Sequence, residues 1–317
     1  MAFKIFSSEQ NGIGLVNLTN EENHTLVSVA PAYGAMLHAF AITTKDGTHN
    51  FIDNYESSSE IQKNLATSFK SSKLSPFVCR IASGKYLYDG VDFEFSNKFM
   101  DGTAIHGLLY NKAFVQVDEF ADEQKATVVF KYNYKEDDEG YPFVYRCEIR
   151  YTLFPQDVLQ IQTTIINLDE LEIPIADGWH PYFKLGGSIN DWLLYFNAGA
   201  MVEFDEKLIP TGQVAEYNTF NKEKTIGNLQ LDNCFILDIP EQHAACTLRN
   251  AANGLQINLF PNETYPYLQV YTPPHRQSIA IENLSAAPDA FNNKMGLLML
   301  QPRHTHTFTV HYQLSCK

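Results

Sequence analysis

The chain has 317 residues, 44% of them hydrophobic and 13% aromatic, with 19% charged and a formal net charge of −14. That length and apolar content can fill a large buried core and exclude a disordered polymer. The acidic balance argues against nucleic acid and anionic membrane as partners, because both demand basic patches, and leaves neutral small molecules unaffected.

The N-terminal Met1-Ala2-Phe3-Lys4-Ile5-Phe6 lacks the apolar core of a signal peptide. The apolar-looking stretch from Val27 to Ile42 is interrupted by Pro31, Gly34 and His38, so no membrane span is expected. Cysteines 79, 147, 234, 246 and 316 are odd in number and form no C-x-x-C pair. A disulfide framework is therefore not expected, and a cytoplasmic location is the default reading.

A serine cluster at 57–59 followed by Ile61, Leu65 and Phe69 predicts one short capped helix. Elsewhere the pattern has period 2. Residues 145, 147, 149, 151 and 153 are mostly apolar between Arg and Glu, and Leu159, Ile161, Thr163 and Ile165 continue after a turn at Pro155-Gln156-Asp157. Leu255, Ile257 and Leu259 repeat it, as do Phe308, Val310, Tyr312 and Leu314. Turn signals stand at Asp46-Gly47, Asp89-Gly90, Asn253-Gly254 and Pro261-Asn262. The acidic run Glu136-Asp137-Asp138-Glu139 reads as a solvated hairpin tip. These runs predict an all-β fold, a large antiparallel β-sandwich formed by residues 1–317 as one domain, with a site on a concave sheet face.

Arg80 is a cation inside the apolar segment Phe77-Val78-Cys79-Arg80-Ile81 and needs a fixed partner. His106 precedes Gly107, which allows close backbone approach to a ligand. In Gly178-Trp179-His180-Pro181-Tyr182-Phe183 one imidazole sits among aromatic rings, and Pro181 pushes it into extended backbone. It is either a hydrogen-bonded core histidine or a catalytic one. Asp232 lies among apolar neighbours, and Gln269 offers both a donor and an acceptor to a hydroxylated ligand. Glu282 ends the apolar run Ile279-Ala280-Ile281, where an ionic group is costly unless paired or functional. A salt bridge or backbone cap explains it as well. His304 and His306 could supply half a metal site, but no third ligand is evident, and a polar edge strand is the better reading.

Taken together in chain order, Pro76-Phe77-Val78-Cys79-Arg80, Ile105-His106-Gly107, Trp179-His180-Pro181-Tyr182-Phe183, Asp232, Gln269 before Tyr271-Thr272, and Glu282 followed by Pro288-Asp289-Ala290 resemble the aldose 1-epimerase (galactose mutarotase) family. The resemblance implies a galactose-mutarotase-type sandwich and no organic cofactor or metal. It implies a monosaccharide substrate whose α and β anomers are interconverted by acid–base ring opening. It further implies His180 as acid, protonated at rest with Asp232 raising its pKa, and Glu282 as base. Arg80, His106, Asp232 and Gln269 would bind substrate.

Cys79 and Trp179 stand where the family has asparagine, and both are expected on the wall of the sugar pocket, where they bear on sugar identity. The alternatives are a hexose-6-phosphate 1-epimerase, with Arg80, Lys184 and Arg276 facing the phosphate, and a non-catalytic carbohydrate-binding module. A polysaccharide lyase is disfavoured by the missing helical domain. A monomer or homodimer is expected.

Overall fold

The computed structural model describes residues 2–316. Antiparallel strands dominate and gather into three large sheets. A five-stranded meander comprises Phe3–Gln10, Ile13–Asn20, Thr25–Ala30, Met36–Thr44 and Gly47–Asn50. The nine-stranded sheet runs in the order Val115–Ala121, Ala126–Lys135, Val144–Phe154, Val158–Asn167, Thr305–Cys316, Leu255–Pro261, Cys246–Asn250, Leu193–Phe196 and Lys224–Thr225.

Its register follows from the period-2 pattern. Tyr145, Cys147, Ile149, Tyr151 and Leu153 all point into the core. Leu153 lies opposite Leu159, Leu159 opposite Tyr312, and Tyr312 opposite Leu259, a continuous apolar row across four strands. Each large side chain so buried contributes about 1.5–3 kcal/mol, and a one-residue slip would turn the whole row to solvent.

The eight-stranded sheet builds the site. Its order is Pro210–Glu216, Ala198–Phe204, Asp232–Leu237, Tyr267–Tyr271, Ile279–Leu284, Gly178–His180 and Ser72–Leu74, with Tyr182–Phe183 also pairing to Ile279–Leu284. Phe235, Leu268, Val270, Ile279, Ile281 and Trp179 face the hydrophobic core. Alternation therefore turns Asp232, Gln269, Glu282 and His180 to the opposite face.

The helix spans Ser58–Ser68, with the Ser57 hydroxyl accepting from the amide of Glu60 as its N-cap. Ile61 and Leu65 are buried, whereas Phe69 leaves the helix as a left-handed C-cap at φ 48°. Two expectations are corrected. Thr305–Cys316 is interior, between Val158–Asn167 and Leu255–Pro261, so His304 and His306 do not mark a polar edge strand. The acidic connection after Lys135 is only partly solvated: Asp138 is buried and accepts from the amides of Ser96, Asn97 and Gly140. Three unpaired N–H groups reward its inward turn.

Candidate active site

A cavity of about 480 Å³ opens on the sheet face turned away from the core, and Arg80, His106, His180, Asp232, Gln269 and Glu282 all line it. Gln269 sits directly opposite Glu282 across paired strands. Its side-chain amide donates to Asp232 Oδ1 at 2.7 Å, which fixes the amide orientation. The imidazole of His180 stacks on Tyr182 at 5.1 Å, and its Nε2 lies 3.3 Å from Glu282 Oε1. Histidine and glutamate are 5% and 2% exposed, so this contact is shielded from bulk water.

The other wall is held by unusual backbone. Arg80–Ile81 pairs with Ala104–Ile105, and the amide of His106 donates to the Cys79 carbonyl at 2.7 Å. His106 and Gly107 both adopt positive φ, 58° and 74°. A Cβ on residue 107 would collide with the backbone of Ser75, so glycine is required there. This turn sets the His106 ring edge-on to His180 at 4.8 Å and against Phe69 at 4.6 Å. Arg80 donates to Asp101 at 2.6 Å and to Thr103 at 3.2 Å, which supplies the partner that its apolar surroundings demand. The loop after Glu282 returns to this strand: Asp289 N–H donates to the Arg80 carbonyl, and its carboxylate accepts from Ala82 N–H.

Burial controls the proton balance. It pushes His180 down to about 4, and it holds His106 well below the usual histidine value, with His180 and Arg80 adding to that effect. Glu282 is raised well above the ordinary carboxylate range, first by burial and then by Asp232. Asp232 is raised by burial, against its hydrogen bond from Gln269 and the Arg80 charge. The expectation of a histidine protonated at rest is therefore corrected. Desolvation disfavours the charged form of each group, holding His180 down and Glu282 up.

Ligand atoms of His106, His180 and Glu282 lie within 4.8 Å of one another, a two-histidine, one-carboxylate set that could hold a cation. The same three groups can pass a proton. Among the described residues, Glu282 Oε2, Gln269 Oε1 and His106 Nδ1 find no hydrogen-bond partner.

Trp179 does not line the cavity. Strand alternation turns it into the core, where it is 2% exposed, while Cys79 does reach the wall. The cations named for a phosphate do not converge either. Lys184 lines a separate cavity with His38 and Asn50, and Arg276 is not freely exposed but binds Asn190 and the carbonyls of Leu229 and Gly227. Lys70 does line the site and is paired with Asp53 at 3.0 Å. Phe69, Tyr182 and Tyr271 also form its walls. Phe69 is buried with Ile61 and Leu65, as the four-residue spacing predicts, and its left-handed cap also brings it to the pocket wall.

The sequence pattern of the family described as Aldose 1-epimerase matches residues 15–313. An uncharacterised Escherichia coli protein, YihR, is 28% identical over 242 residues, covering 74% of this chain and 75% of that protein. Human galactose mutarotase is 28% identical over 216 residues, covering 61% of this chain and 59% of its own. A galactose mutarotase-like protein from Clostridium acetobutylicum superposes with TM-score 0.89 at 15% identity, covering 100% and 99% of the two chains. Galactose 1-epimerase from Lactobacillus acidophilus superposes with TM-score 0.81 at 20% identity, covering 99% and 98%. These likenesses show a galactose-mutarotase-type all-β fold.

Proposed function

The chain belongs to the aldose 1-epimerase family, and from that premise we propose that it interconverts the α and β anomers of a free aldose, with Glu282 as base and His180 as acid. The observation that carries this reading is the shielded 3.3 Å contact between His180 Nε2 and Glu282 Oε1 at the floor of a sugar-sized cavity. Moving one proton across that contact converts the neutral pair into carboxylate and imidazolium without exchange with solvent.

The carboxylate then removes the C1 hydroxyl proton as the C1–O5 bond breaks. The electron pair goes to O5, which takes the proton from His180, and C1 becomes an aldehyde. Rotation about C1–C2 and the reverse transfers close the other anomer and restore both groups. Each positioned acid or base is worth a rate factor of roughly 10²–10⁴. Asp232, Gln269, Arg80 and His106 hold the hydroxyls, and Tyr182 and Tyr271 offer flat apolar faces to the C–H side of the ring.

No organic cofactor enters the scheme. Arg80 and Lys70 are committed to Asp101 and Asp53, which favours a free sugar over a phosphorylated one. Polarimetry on freshly dissolved α-D-glucose, α-D-galactose and glucose 6-phosphate tests the reading. Catalysed mutarotation of a free aldose is expected, and no acceleration for any of the three would overturn it.

A further inference from the structure

Behind the catalytic face lies a fully buried ion pair that the proton-transfer scheme does not use. Lys73 and Asp177 have no exposed side-chain surface, and Nζ lies 2.6 Å from Asp177 Oδ1. The same ammonium donates to the Gly178 carbonyl at 3.1 Å and sits 4.5 Å from the ring centroid of Trp179. One cation thus touches each of the three residues that immediately precede His180.

Asp177 makes further hydrogen bonds through the same Oδ1 and through its backbone. Tyr265 donates to its Oδ1 at 2.6 Å, its amide donates to Ser285 Oγ at 2.8 Å, and its carbonyl accepts from the Ser285 amide at 2.8 Å. Ser285 lies three residues beyond Glu282. The cluster therefore ties the strand carrying the acid to the strand carrying the base, from the core side, and Lys73 lies in register with Trp179 on a third strand. Burying two charges is a poor route to stability, since apolar replacements of such pairs are often neutral or stabilising. A demand for fixed geometry is a better reason to keep one.

We propose that Lys73, acting through Asp177, Gly178 and Trp179, is a positioning residue that holds His180 at proton-transfer distance from Glu282. This rests on the acid–base reading above. The test is the charge-neutral double variant Lys73→Met/Asp177→Asn, which keeps an acceptor for Tyr265. It is measured for kcat and KM in mutarotation, alone and in the His180→Asn background.

A misplacement of about 1 Å can cost on the order of 100-fold, so kcat is expected to fall ~10–100-fold with KM within about twofold. In the His180→Asn background the same change is expected to cost little further, because the group being positioned is gone. An equal loss in both backgrounds, or no loss in kcat, overturns the proposal. Ser285→Ala decides the matter should the double variant fail to fold: it removes only the Oγ that anchors Asp177. A several-fold fall in kcat at constant KM is expected from it, and unchanged kcat refutes the positioning role. Wild-type mutarotation and its loss in His180→Asn report separately on the acid–base reading.

Discussion

Replacing Glu282 by glutamine separates chemistry from folding more cleanly than any other single change at the site. Glutamine keeps the volume and can still hydrogen-bond His180 Nε2, but it cannot take the C1 proton. The expected loss is a factor of roughly 10²–10⁴, equivalent to about 3–5 kcal/mol on the barrier. Stability should move the other way. Burial raises the Glu282 pKa above its ordinary 4.5, so the folded state keeps a proton that the unfolded chain releases. The unfolded state then binds fewer protons than the native one, and stability falls as pH rises from the unfolded value toward the folded one, by up to about 1.4 kcal/mol per pH unit. The glutamine variant lacks this slope, so its advantage over wild type should grow from pH 5 to pH 7. Polarimetry gives the rate, and urea denaturation at pH 5, 6 and 7 gives the stability difference. A variant retaining more than about a tenth of the wild-type rate would refute the base assignment, and a stability difference flat in pH would refute the buried, protonated carboxylate.

Other outcomes can be checked alongside it. His180 is lowered from 6.5 to about 4, so the unfolded chain binds the extra proton between those values. The His180 component of stability should therefore fall by about 3 kcal/mol as pH falls from 6.5 to 4, opposite in sign to the Glu282 slope, and denaturation of His180→Asn compared with wild type should isolate it. Gly107→Ala forces a Cβ into the Ser75 backbone at positive φ, and should cost about 3 kcal/mol or more by thermal or urea unfolding. A native-like melting temperature would show that the His106 turn is not strained by a side chain. Incubation with EDTA should leave the mutarotation rate unchanged, since side chains carry both proton transfers. Loss of activity restored by a divalent cation would show that His106, His180 and Glu282 act instead as metal ligands.

Much of the architecture is local and was therefore readable. The alternation at Tyr145–Leu153 and Leu255–Leu259 reports a half-buried strand, because a two-residue period can satisfy only one apolar face. Asp46-Gly47 and Asn253-Gly254 mark hairpins through backbone conformations that few residues tolerate. Ile279–Leu284 is different, since every residue in it is buried. The pocket on one side and the core on the other erase the polar face that alternation would show, and only the out-of-place carboxylate of Glu282 betrayed the site. Trp179 was misread for a related reason: adjacency to His180 in the chain means opposition across the strand.

By itself, the sequence determined the class of fold, the turns and the chemical types available for acid–base work, since each depends on neighbours a few residues away. The tertiary structure decided what those groups are. It joins Lys73 to Asp177 across 104 residues of chain, sets His180 3.3 Å from Glu282, and turns Phe69 to the pocket wall through a left-handed cap. It also decided the direction in which each group's proton affinity moves, down for His180 and up for Glu282. A histidine's resting charge follows from how much water and how many charges surround it, and those surroundings are assembled only when distant strands meet.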